Sequence, residues 1–136
     1  MRDVWTVFQC FFASLGCLLG FLLGDLDGFL IALIVFVIAD YITGLCSAFI
    51  QKKVSSKTGF KGIIKKICIF IVVAIANIID VNLLETPMLR TAVIFFYISN
   101  EGISIIENLT VLGVPVPKKL KDALTQIKEK GDKDEL

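Results

Sequence analysis

The chain has no histidine, so the commonest general base and the commonest transition-metal ligand are both missing. Its four cysteines, Cys10, Cys17, Cys46 and Cys68, lie in apolar runs, and none forms a Cys-x-x-Cys pair. That spacing excludes a zinc site and points to reduced thiols in lipid or at helix contacts rather than a disulfide framework. There is no glycine-rich phosphate cradle and no nucleophile with a base at motif spacing. No catalytic residue, metal ligand or cofactor is therefore expected. Basic residues occur only as flanks of apolar runs, so nucleic acid is not an expected partner either.

Charge is also missing over long distances. Residues 4–24, 28–39 and 67–79 contain no Asp, Glu, Lys or Arg. With 56% hydrophobic residues and a mean hydropathy of +0.82 in 136 residues, a water-soluble fold would expose far more apolar surface than a monomer tolerates. About 20 apolar residues in a helix cross the ~30 Å hydrocarbon core. The pattern predicts an all-α integral membrane protein with spans at about 4–23, 29–50, 63–84 and 88–109. These make a transmembrane domain over 1–112, followed by a charged tail over 113–136.

Within the first span Ala13, Gly16, Gly20 and Gly24 recur every three or four residues, a strip where another backbone approaches closely. Only Arg2 and Asp3 precede it and no Ala-x-Ala site follows, so a retained span is expected rather than a cleaved signal. The turn 24–28 holds two acids and no base. Asp40, Thr43, Gly44 and Ser47 share one face of the second span. The stretch 51–66 carries six lysines and no acid, which marks the cytoplasmic side. The run Glu85-Thr86-Pro87 separates the third span from the fourth, since proline cannot continue a helix. The fourth is amphipathic, with a polar band that includes Asn100, Glu101, Ser104, Glu107 and Asn108. Lys118, Lys119 and Lys121 again mark cytoplasm. Four spans then place both termini inside; a three-span chain, with the first or fourth segment in the interface, is the competing topology.

An ionised carboxylate at the middle of a span costs about 2.5–3.5 kcal/mol on insertion scales. Asp40 accordingly faces water or an oligomeric interior, or acts only as polar glue between helices. The expected pore or oligomer-interface residues are Asp40, Thr43, Ser47, Asn100, Glu101 and Ser104. Asp80 and Arg90, across a short turn, are expected to form an intramembrane ion pair. The lysines of 51–66 serve topology or attract anionic lipid head groups. Lys133-Asp134-Glu135-Leu136 spells a luminal retention signal, but a cytoplasmic tail would never present it there.

Three stretches carry a resemblance. They are Asp40-Tyr41-Ile42-Thr43-Gly44-Leu45 with the lysine, serine and glycine pattern through Lys66; Leu89-Arg90-Thr91-Ala92 leading into Tyr97 through Asn108; and Gly113-Val114-Pro115-Val116-Pro117-Lys118-Lys119-Leu120-Lys121. Over roughly residues 29–125 the chain resembles the bacterial toxin secretion/phage lysis holin family. The resemblance implies a homo-oligomer in the bacterial cytoplasmic membrane that opens it to release an endolysin or a large toxin, with lipid and further copies as partners. Two other classes stay open at this point. One is an ion or solute channel of fixed stoichiometry with Asp40 as its selectivity group; the other is a non-conducting membrane scaffold.

Overall fold

The computed structural model describes residues 1–134, the side chains of 128 and 131–134 aside. The retention-like string therefore ends outside the described residues. Five α-helices follow one another: α1 Arg2–Leu23, α2 Gly28–Ile50, α3 Ser56–Ile79, α4 Met88–Val111 and α5 Lys118–Asp134. A π-helical turn, Asp80–Leu84, extends α3. No strand occurs among the described residues, and four helices are long and apolar enough to cross a membrane.

Local chemistry sets the helix starts. The Asp27 carboxylate accepts from the Leu30 amide at 2.9 Å and the Ser55 hydroxyl from the Thr58 amide at 3.1 Å. Each satisfies an amide that has no partner within the helix, worth about 1 kcal/mol. Ser55 is also why α3 begins at Ser56, well ahead of the start near 63 read from hydropathy. Lysines are good helix formers, and their long stems let a charged first turn remain helical. The loop between α2 and α3 shrinks accordingly, and Lys57, Lys61, Lys65 and Lys66 all become helical.

The apolar core is small. Leu30, Leu33 and Val37 of α2, Ile69 and Val73 of α3, and Ile94 and Ile98 of α4 form it, at spacings of three, four or seven. These three helices make the bundle, with α2 against α4 and α3 beside them. α1 has no buried residue; it packs along α3, and its last residue is also held by Arg90 of α4. Its small-residue strip packs on nothing among the described residues over most of its length: Ala13 is exposed, and Gly16 and Gly20 have no described neighbour within 4 Å of an added Cβ. Outward faces bearing Phe8, Phe21, Val35, Ile38 and Ile71 are likewise open, as suits helices whose solvent is lipid.

The charged tail does not simply project. α5 folds back on α4, and Leu124 is buried there with 5% of its surface exposed. Gly102 makes the contact possible. A Cβ at that position would lie 2.8 and 3.0 Å from the Leu124 methyls and 3.0 Å from the Phe36 ring.

Candidate functional site

The middle of α2 places Asp40 on the same face as Leu33 and Val37, so its carboxylate points into the bundle, where it is 9% exposed. Glu101 of α4 follows Ile94 and Ile98 on the core face and is 8% exposed. Two buried carboxylates thus approach each other from facing helices. Lys66 answers both. It stands seven residues before Val73 on the same face of α3, and its Nζ donates to Asp40 Oδ2 and to Glu101 Oε2. One ammonium ion bridges three helices and compensates two charges that neither α2 nor α4 could bury alone.

A second set of groups completes the cluster. The Asn108 amide donates to Asp40 Oδ1 at 3.3 Å and to the Thr43 hydroxyl at 3.1 Å. The Thr43 hydroxyl in turn donates to the Ala39 carbonyl at 2.8 Å. Gly44 lies beside Asn108, whose amide nitrogen would stand in ordinary contact, 3.6 Å, with an added Cβ. No buried side-chain nitrogen or oxygen among the described residues lacks a partner. A cavity of about 620 Å³ adjoins the cluster. It runs from Asp40, Glu101 and Ser104 at mid-helix to Lys53, Ser55 and Thr58 at the lysine end, with Asn100 also on its wall. Of the six residues expected at an interface or lumen, Asp40 and Glu101 are therefore joined within one chain. Thr43 is tied to them through Asn108, and Asn100 and Ser104 border the same cavity. Ser47 is buried one turn further along α2.

The opposite end holds another polar cluster. Arg90, 5% exposed, donates from Nε to the Leu23 carbonyl at 2.7 Å and from Nη2 to the Asp25 carbonyl at 2.8 Å. Its Nη1 pairs with Asp27 Oδ2 at 2.8 Å. This corrects the expected Asp80–Arg90 ion pair. Asp80 is buried, but its two oxygens accept the main-chain amides of Leu89 and Arg90 at 3.0 and 2.7 Å. Those amides begin α4 and have no partner in their own helix, so they hold the carboxylate and the guanidinium turns to Asp27. The Arg90 hydrogen bond keeps the Asp27 carboxyl below its usual range, against a smaller opposing effect of burial. Asn77 adds a bond to the Leu22 carbonyl at 3.1 Å. Together these groups satisfy the open carbonyls at the end of α1. Gly24, with φ +82°, lies against Asn77 and Arg90, so the fourth member of the small strip serves a turn.

Lys66 is the residue that sequence reasoning missed. It ends a run of lysines that reads as the basic flank of the third span, yet its seven-residue spacing to Val73 puts it on the core face of α3.

The sequence of this bundle matches a known family. The model of the bacteriophage holin family fits residues 17–129. The chain belongs to that family. Among its relatives is a probable holin of Bacillus phage phi105, 38% identical over 74% of each chain. An uncharacterised 14.9 kDa protein from the nagH 3′ region of Clostridium perfringens is 44% identical, covering 86% of this chain and 89% of the relative. A Listeria monocytogenes protein, Lmo0128, is 48% identical over 76% of this chain and 74% of its own length. No solved structure matches. The region matched to the holin family takes in all of α2, α3 and α4, and with them both polar clusters.

Proposed function

We propose that this holin accumulates in the bacterial cytoplasmic membrane, with both termini in the cytoplasm, and self-associates until it opens the bilayer. The cargo is an endolysin, released for host-cell lysis, or a large toxin. The observation that carries the reading is the Asp40–Lys66–Glu101 cluster, buried where α2, α3 and α4 meet. Within one copy Lys66 pairs with both carboxylates, which lowers the cost of holding them among helices in lipid. Separating the helices in an assembly would turn the same groups, with Thr43, Asn100 and Ser104, toward a polar lumen.

Two further features support this arrangement. α1 offers an open strip at Ala13, Gly16 and Gly20 for a second copy, where close packing and lipid entropy favour association. On the other side, α4 carries a helix with Lys118, Lys119, Lys121, Asp122, Glu129 and Lys130. Those charges need water, which suits a bundle whose α4 side faces an aqueous space and whose α1 side faces lipid.

The test is induced expression in bacteria with and without a cytoplasmic muralytic enzyme, following membrane potential and lysis together. Sudden depolarisation in both cultures, with lysis only where the enzyme is present, is the expected result. The cavity leading inward from the lysine end favours a second reading, a narrow conduit of fixed size. Escape of ions without escape of any folded protein would establish that reading and remove the first. Loss of neither would leave a non-conducting scaffold.

A further inference from the structure

Five lysines at one end of the bundle take no part in the clusters described above. Lys52 and Lys53 lie in the α2–α3 loop, and Lys57, Lys61 and Lys65 repeat every four residues along one face of α3. All five are exposed, none is in an ion pair among the described residues, and no acidic residue occurs between Gln51 and Ile79. Neighbouring Lys66 points the opposite way, into the core. Five unpaired like charges within 14 positions repel one another, and they repel the same five on any copy brought alongside.

Their height relative to the bilayer identifies the counter-charge. Through Leu84 the third span runs to 29 residues, about 43 Å at 1.5 Å per residue, against a hydrocarbon core of ~30 Å. The excess of about 13 Å, taken at the lysine end, carries the turns of Lys57 and Lys61 to head-group level, and the long stem of Lys65 reaches it from the next turn. Lys53, Ser55, Thr58 and Lys65 border one opening of the cavity, two ammonium groups beside two hydroxyls. Phe60, Ile64 and Ile67 are interleaved with the lysines and exposed. A nucleic acid or a free anion would find those apolar side chains useless, whereas an acyl chain lies against them.

We propose that this face binds the phosphate of an anionic phospholipid, with Lys53 and Lys65 as its principal cations and the mutually hydrogen-bonded Ser55–Thr58 pair supplying one hydroxyl donor. A bound lipid neutralises the basic face and removes the main electrostatic obstacle to bringing copies together. The binding site itself does not depend on the holin reading.

The purified full chain, placed in nanodiscs containing equal phosphatidylglycerol and phosphatidylcholine, is released into mild detergent and its retained lipid identified by native mass spectrometry. Phosphatidylglycerol should be retained preferentially, by roughly fivefold for each lysine engaged, and less so in high salt. The double variant Lys53→Gln/Lys65→Gln should lose most of that preference. Lys118→Gln/Lys119→Gln, which removes the same charge beside the tail helix, should keep it. Millimolar inorganic phosphate should not compete. Equal retention of the two lipids, an unchanged preference in the Lys53/Lys65 variant, or displacement by free phosphate would each overturn the proposal. Binding is read without any permeabilising activity, so its failure and failure of the holin reading are separable.

Discussion

Replacing Lys66 by methionine keeps an unbranched, flexible side chain, one atom shorter, and removes the charge. Asp40 and Glu101 then face each other with no cation between them. Breaking a buried ion pair by removing one partner costs about 3–5 kcal/mol, because the charge left behind has lost both water and its counter-ion. Here the three side chains keep 17%, 12% and 10% of their surface exposed, and the adjoining cavity admits some water. The lower end of that range applies, and a loss of about 3 kcal/mol lowers the ratio of folded to unfolded chain roughly a hundredfold. Asp40→Asn should be much milder, since it leaves one ammonium with one carboxylate. The triple variant Asp40→Asn/Lys66→Met/Glu101→Gln contains no charge at all and should recover most of the loss. Unfolding of purified protein in mixed micelles, followed by helical circular dichroism, measures all three. Should Lys66→Met match the parent within 1 kcal/mol, or the triple variant prove less stable than Lys66→Met, charge compensation would not be what holds α2, α3 and α4 together.

Three further predictions test other parts of the molecule. Arg90 lowers the Asp27 carboxyl, so that bond stabilises the fold above the unfolded-state value near pH 3.9 and the contribution disappears as pH falls through the lower folded value. Asp27→Asn should therefore flatten the acid limb of a stability–pH curve, and at neutral pH it should cost no more than about 1 kcal/mol because the carboxylate is 37% exposed. Gly24→Ala combines a left-handed φ with a Cβ 2.7 Å from Asn77 Oδ1 and 2.9 Å from Arg90 Nε, so it should cost about 1–3 kcal/mol and raise protease cleavage at the α1–α2 turn. Gly102→Leu overlaps Leu124 and should detach α5. The readout is faster proteolysis after Lys118 with the α2–α4 bundle intact; unchanged protection of the tail would show that the contact is not needed.

Much of this protein is legible without coordinates. Four uncharged or nearly uncharged stretches dictate four helices, because a bilayer leaves backbone amides no other way to be satisfied. The amphipathic pattern of α4 similarly identifies the helix whose polar band, from Asn100 to Asn108, cannot meet lipid. Asp40 stands out by position alone, as an acid at the centre of an apolar run.

Its partner is another matter. Lys66 follows Lys65 in sequence, and both stand among the lysines at the start of the expected third span; only the packing of α3 against α2 and α4 sends one outward and the other between two acids. The same holds for Arg90. Chain proximity favours Asp80, ten residues away, but the first amides of α4 occupy that carboxylate and leave Asp27, sixty-three residues away, to pair with the guanidinium. Composition thus determined the solvent and the helices long and apolar enough to cross it, since burial in oil is read from hydrophobicity summed over a helix. Which charges meet depends on helix rotation and on competition for each acceptor, and those are settled only when the helices pack.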